Sequence, residues 1–276
     1  MAIAYLNGKI ISSNDPVLPI DERGHQFGDG VYEVIRVYNG RVFMMPEHME
    51  RFFKSAEAIK LNVGKSSEEI MAIVDDLIER SGLQDCDVYM QATRGIAPRN
   101  HLFPNVPASI SMTVKPSKHV NEEVRESGAK IKLLPDERWQ NCWIKSLNLL
   151  PNILAKQEAF ESGALEAVLI RDGYITEGSS SNFFIVKNGE ILTAPATNHI
   201  LHGITRIAVK EMALELDIPF REQAFTSDEL LAADEAFLTS TTQEILPVVE
   251  VDGQKIGNGK PGEVVKKLYE LFLEKM

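Results

Sequence analysis

Turn dipeptides constrain this chain more than any other feature. Asn7-Gly8 separates Ala2–Leu6 from Lys9–Ile11, and Asn39-Gly40 separates Val31–Tyr38 from Arg41–Met45. Asn-Gly and Asp-Gly tolerate the two positive φ angles of a tight hairpin turn, so the apolar runs beside them fold back as antiparallel strands. Asp172-Gly173 stands between Ala167–Arg171 and Tyr174–Thr176, and Asn188-Gly189 follows Asn182–Lys187. Further strands are predicted at Val88–Thr93, Ala108–Val114, Lys130–Leu134, Trp143–Leu149, Ala236–Thr239 and Val248–Val251.

Helical periodicity fills the intervals. Pro46 opens a helix that runs to about Ile59. A second spans Ser67–Ser81, with Ser66 or Ser67 as cap, acidic Glu68 and Glu69 in the first turn and Gly82 after the end. Pro151 opens a helix to about Ser162, stopped by Gly163. Helices are also predicted at Thr205–Leu216, Ser227–Ala233 and Gly262–Lys275. The class is therefore α+β. A polar stretch at 116–120 reads as a linker between a smaller domain, 1–115, and a larger one, 121–276.

With 276 residues, 44% of them hydrophobic, the chain can bury one large or two medium cores. Twenty-nine Lys and Arg against 40 Asp and Glu leave a net charge of −11, which argues against nucleic acid or an anionic membrane as partner. Two cysteines, Cys86 and Cys142, make neither a disulfide framework nor a zinc pattern. No signal-peptide pattern and no membrane-length apolar run is visible, so a cytoplasmic protein is expected.

Lys145 is the residue that points most sharply to chemistry. If Cys142–Leu150 is a strand, Trp143, Lys145, Leu147 and Leu149 share one face. Burial on such a face disfavours a charged lysine, and a neutral amine is a nucleophile suited to an imine with a carbonyl. An edge-strand lysine that blocks aggregation is the competing reading.

Other motifs offer binding groups. Glu177-Gly178-Ser179-Ser180-Ser181-Asn182 sets a carboxylate before a run of small donors, with the wrong spacing for a serine nucleophile elbow. Gly203-Ile204-Thr205-Arg206 opens a helix, where amides and the Thr205 hydroxyl make an anion site, and Ser240-Thr241-Thr242 adds hydroxyls after a strand. Each is also compatible with a plain turn or cap. Arg94, Arg99 and His101 share one loop, and a guanidinium grips a carboxylate through two bonds. Arg23–Glu33 is glycine-rich but lacks the context of a dinucleotide site. His199 and His202 have no third metal ligand in sequence, so no metal is expected.

Taken in order, Arg23-Gly24…Phe27-Gly28-Asp29-Gly30, Lys145-Ser146-Leu147-Asn148, Glu177–Asn182 and Gly203–Arg206 resemble the fold-type IV pyridoxal-phosphate enzymes over nearly the whole chain. Val31-Tyr32-Glu33-Val34 and Arg99-x-His101 resemble the subgroup that transaminates D-amino acids. The resemblance implies a small α/β N-terminal domain and a larger, β-barrel-like C-terminal domain with flanking helices. It implies that Lys145 forms an imine with pyridoxal 5'-phosphate and that Glu177 faces the pyridine nitrogen. Arg51, the Ile204 amide, Thr205, Ser240 and Thr241 would hold the phosphate, and Leu201 would pack against the ring. Arg138 would support hydrogen bonding near the cofactor. Tyr32, Arg99 and His101 would hold the substrate carboxylate, with Arg99 and His101 contributed by the second subunit of a homodimer. Ping-pong exchange between D-alanine and 2-oxoglutarate is the implied reaction. Rivals of the same fold are a branched-chain L-amino-acid aminotransferase and an aminodeoxychorismate lyase. Rivals of another class are a cofactor carrier without turnover and a plain solute-binding protein.

Overall fold

The computed structural model describes residues 3–276. Ala2, the expected start of the first strand, lies outside the described residues. The chain divides into two units: one runs through Lys118 and takes up Ile144–Asn148, and the other comprises His119–Trp143 and Leu149–Met276. The Lys145 segment thus belongs with the N-terminal unit, although it sits within the 121–276 span.

In the first unit the elements are β1 (Ile3–Leu6), β2 (Lys9–Ser12), α1 (Arg23–Phe27), β3 (Gly30–Tyr38), β4 (Arg41–Val42), α2 (Met45–Ala58), α3 (Ser67–Ser81), β5 (Cys86–Thr93) and β6 (Ser109–Pro116). Among the described residues its sheet has six strands in the order β2-β1-β6-β5-β3-β4, with every pairing antiparallel. Both hairpin turns form as the dipeptides dictate: φ is +47° and +92° at Asn7 and Gly8, and +48° and +76° at Asn39 and Gly40. A capping box closes the start of α3, where Ser66 accepts from the Glu69 amide and Glu69 accepts from the Ser66 amide. The core gathers Val31, Ile35 and Val37 of β3, Val88 and Met90 of β5, and Val74 and Leu77 of α3, all fully buried.

The second unit contains α4 (Glu122–Ser127), β7 (Ala129–Pro135), α5 (Leu150–Glu161), β8 (Glu166–Arg171), β9 (Tyr174–Gly178), β10 (Asn182–Lys187), β11 (Glu190–Thr193), α6 (Ile204–Glu215), β12 (Phe220–Glu222), α7 (Ser227–Leu231), β13 (Glu235–Ser240), β14 (Glu244–Val251), β15 (Gln254–Lys255) and α8 (Glu263–Glu274). Its sheet, nine-stranded among the described residues, runs β12-β11-β10-β13-β14-β7-β8-β9, with β15 on β14. The β11–β12, β14–β7 and β7–β8 pairs are parallel and the rest antiparallel. Phe183, Ile185, Leu238, Leu246, Val168 and Phe225 form the centre of its core.

One expected element is absent. Cys142–Leu150 is not a strand but an irregular segment joined to β3 by a single bridge, Ser146 with Val31. Its burial has the opposite parity from the strand reading: Cys142, Ile144 and Ser146 are buried, while Trp143, Lys145 and Leu147 are only partly covered. A tight turn in which the Ser146 amide donates to the Ile144 carbonyl (2.8 Å) breaks the extended backbone that a period-two pattern presumes.

Candidate active site

Within the first unit, β3 brings an acid to a core position. Glu33 lies on the buried face of β3 between Val31 and Ile35 and is fully enclosed. The second helix, α2, supplies its partners from adjacent turns. Arg51 donates from Nε to Oε1 and from Nη2 to Oε2, both at 2.7 Å, and His48 Nδ1 bonds Oε2 at 2.8 Å. Burial alone would push the Glu33 carboxyl up, but Arg51, followed by His48, outweighs it and holds the group down at about 2. Burial likewise pushes the His48 imidazole below its ordinary range, against the pull of Glu33. Arg51, expected on a phosphate, is therefore gripped at two nitrogens by Glu33.

The Lys145 segment is laced to the same strand. The Tyr32 amide donates to the Lys145 carbonyl and the Leu147 amide to the Gly30 carbonyl, both at 3.0 Å. From α2, the Ser55 hydroxyl accepts the Lys145 amide at 3.1 Å. These bonds fix the backbone on both sides of the side chain. Lys145 Nζ then lies 4.4 Å from the Tyr32 ring centroid, and Tyr32 stacks on Tyr89 at 5.8 Å. The glycines before β3 now have a reason. Gly28 caps α1 with φ +63°, a conformation that favours glycine, and accepts the Asn148 side-chain amide at 3.0 Å; a Cβ there would sit 2.9 Å from Asn148 Oδ1 and displace that side chain.

The expected Arg-His loop separates into two roles. Arg94 is buried at the end of β5, bonded to Asp29 (3.0 and 3.1 Å) and to the Ile59 and Lys60 carbonyls (2.7 and 2.8 Å). It is a structural anchor, not an exposed carboxylate receptor. Arg99 and His101 are exposed and flank one ring, with the Arg99 guanidinium 4.8 Å and the His101 ring 5.6 Å from Phe27.

Within the second unit, Glu177 at the end of β9 is buried among donors. It accepts from Arg138 Nη1 (2.5 Å), Asn182 Nδ2 (2.9 Å) and the Leu201 amide (3.0 and 3.1 Å). Burial pushes its carboxyl up, and the Arg138 charge opposes that rise. Asn182 also donates to the Leu201 carbonyl at 2.8 Å, so it clamps the Leu201 loop from one side and Glu177 from the other. Ser179, Ser180 and Ser181 turn their hydroxyls onto buried Glu166, which also pairs with Lys156 at 3.1 Å. The serine run is thus tied to an acid on β8.

Helix α6 begins at Gly203, which offers no side-chain cap, and Ile204 and Thr205 in its first turn are buried. Its first amides have no acceptor within the helix, the usual condition of an anion-binding helix start. A Cβ on Gly203 would lie 2.0 Å from Asn182 Oδ1, so the residue that clamps Glu177 requires glycine there. Ser240 and Thr241 lie at the β13–β14 turn, where Ser240 Oγ accepts the Gln243 amide at 3.1 Å.

A model of the amino-transferase class IV family matches residues 30–251. The chain belongs to the class IV aminotransferases. It is 42% identical to a D-alanine aminotransferase of Staphylococcus haemolyticus over 99% of this chain and 97% of that one. A D-alanine aminotransferase of Bacillus licheniformis is 44% identical, with 95% and 93% covered. The fold superposes on the branched-chain amino acid aminotransferase of Escherichia coli with a TM-score of 0.93, at 29% identity, over 99% of this chain and 93% of that one. The branched-chain amino acid aminotransferase of T.th., solved with pyridoxamine 5'-phosphate, gives 0.91, at 29% identity and the same coverage. As a class IV aminotransferase the chain has the fold-type IV architecture expected of its motifs, including the curled, barrel-like sheet of the second unit. No helix among the described residues is long and apolar enough to cross a membrane.

Glu33, His48 and Asn182 carry more of this geometry than sequence reasoning assigned them. For Glu33 a signal was present: an acid at a core position of an alternating strand needs buried cationic partners. His48 becomes visible only when Glu33 is folded next to it, and Asn182, though part of the Glu177–Asn182 motif, shows its clamp on Leu201 only in the fold.

Proposed function

We propose that this enzyme transfers amino groups between D-amino acids, such as D-alanine, and 2-oxo acids, such as 2-oxoglutarate, with pyridoxal 5'-phosphate as cofactor. The observation that carries the reading is the buried Glu177 carboxylate, held by Arg138, Asn182 and the Leu201 amide. A carboxyl enclosed among such donors would pair with a ring cation, such as the protonated nitrogen of this cofactor. The uncapped start of α6 fits a phosphate equally well. Preference for the D-series is supported by 42–44% identity to D-alanine aminotransferases, against 29% to branched-chain enzymes.

Pyridoxal phosphate, when bound, supplies an aldehyde for the amino group and a ring that accepts electron density. Lys145 Nζ would hold the aldehyde carbon. Lys145 Nζ would also accept the proton from the substrate α-carbon and redeliver it to the cofactor's aldehyde carbon. Glu177 would keep the ring nitrogen protonated, and Leu201 would pack on the ring. The Ile204 amide, Thr205, Ser240, Thr241 and Arg51 would hold the phosphate, with Glu33 and His48 fixing the Arg51 guanidinium. Tyr32 with Arg99 and His101 would bind the substrate carboxylate. Arg99 and His101 would come from the second subunit of a homodimer, in keeping with their exposure. A cytoplasmic setting accords with the two free thiols, Cys86 and Cys142.

Assaying the purified protein side by side with D-alanine, L-leucine and aminodeoxychorismate tests the assignment. Transfer from D-alanine to 2-oxoglutarate at a rate well above that from L-leucine is the expected result. Dominant L-leucine transfer, or pyruvate release from aminodeoxychorismate, would replace it.

A further inference from the structure

Glu177 is backed by an outer layer of charged groups beyond Arg138. Asp136, just beyond β7, has a fully enclosed side chain. Four hydrogen-bond donors and a second guanidinium converge on it. Arg138 forks onto it through Nε and Nη2, both at 2.9 Å, and adds its own backbone amide at 3.1 Å. Arg171 Nη2 approaches at 3.1 Å and Thr176 Oγ1 at 3.0 Å. The remaining arm of the Arg138 guanidinium, Nη1, points at Glu177.

A guanidinium is planar and rigid. Fixing two of its nitrogens fixes the direction of the third. We infer that Asp136 is a positioning residue, whose carboxylate forks onto Arg138 and thereby holds that guanidinium against Glu177. The acid on the cofactor side is thus oriented by a second acid acting through one arginine. Arg171 and Thr176 anchor the outer acid in turn. The chemical consequence rests on the role proposed above for Glu177, but the geometry belongs to the protein alone.

Two effects of Asp136 on Glu177 have opposite sign, which makes the inference testable. As a bare negative charge, Asp136 raises the proton affinity of Glu177. As the holder of Arg138, it lowers that affinity by securing a charge-assisted bond. The charged and titratable groups that bear on Glu177 within this unit are Arg138, Asp136, Arg206 and Cys142, with Arg171 acting on Asp136. If positioning dominates, Asp136→Asn raises the Glu177 midpoint. If Asp136 is only a neighbouring charge, the midpoint falls.

The experiment is a pH titration of the full-length protein by NMR with 13C-carboxyl-labelled glutamate. The Glu177 signal is identified by its loss in Glu177→Gln. The expected result for Asp136→Asn is an upward shift of roughly one pH unit, a tenfold change in proton affinity. In an Arg138→Met background the same substitution should leave the midpoint unchanged or lower. A fall or no change when Arg138 is intact overturns the inference. Should Asp136→Asn fail to fold, Asp136→Glu keeps the charge while moving the acceptor atoms, and it too must raise the midpoint or the inference is wrong. Adding pyridoxal phosphate to the same samples separates this from the cofactor reading. A natural protein that binds none refutes that reading, whereas normal binding with an unmoved Glu177 midpoint refutes the role of Asp136 alone.

Discussion

Replacing Glu33 by Gln isolates the buried ion pair beneath the Lys145 segment. The carboxylate is fully enclosed and accepts three bonds of 2.7–2.8 Å from Arg51 and His48. Removing its charge breaks the buried ion pair with Arg51, a loss of about 3–5 kcal/mol for broken buried pairs. The proton affinity gives a second route to the magnitude. Burial raises it, Arg51 and His48 lower it further, and the net change is from 4.5 to about 2. At about 1.36 kcal/mol per pH unit this corresponds to about 3 kcal/mol. The sign follows from the depressed value. The stabilisation is complete above pH 4.5, where an unfolded Glu is ionised, and it disappears as pH falls through about 2. Urea unfolding of both proteins, followed between pH 7 and pH 2, measures the difference and cancels the other carboxylates. The expected gap is about 3 kcal/mol at pH 7, shrinking steadily below about pH 4.5. Equal stability at pH 7, or a gap of constant size down to pH 2, would refute the reasoning.

Two further substitutions probe the second unit. Glu177→Gln removes the anion opposite the proposed ring nitrogen, and turnover should fall about 10- to 100-fold, the equivalent of one charge-assisted bond; steady-state kinetics with D-alanine measure it. Gly203→Ala places a methyl 2.0 Å from Asn182 Oδ1. It should cost about 1–3 kcal/mol of stability by overpacking and weaken pyridoxal phosphate binding together, as read by thermal unfolding and absorbance titration.

Local signals were readable in this sequence wherever the physics was local. The hairpin turns expected at Asn7-Gly8, Asn39-Gly40, Asp172-Gly173 and Asn188-Gly189 all adopt paired positive φ angles. Ser66 and Glu69 form the cap that their spacing predicts, and Gly82 ends α3 with φ +67°. The Lys145 segment defeated the same approach. Its alternating residues imitate a strand, but its backbone bonds go to Gly30 and Tyr32, more than a hundred positions earlier, and a turn at Ile144–Ser146 inverts the buried parity. The parallel pairing of β7 with β8 and β14 is likewise a long-range choice that no window of sequence contains. Motif residues were visible, while the bonds by which Glu33 holds Arg51 and Asn182 holds Glu177 were not. Asp136 looks like a surface residue among Pro135, Glu137 and Arg138 until Arg138 and Arg171 close over it.

The proposed transamination depends on the amine of Lys145. The direct measurement is to incubate the purified protein with pyridoxal phosphate, reduce with borohydride, and map the labelled peptide. A yellow protein whose colour bleaches with D-alanine and persists with L-alanine, and whose label sits on Lys145, is the predicted result. A colourless protein, or a label on any other lysine, contradicts it.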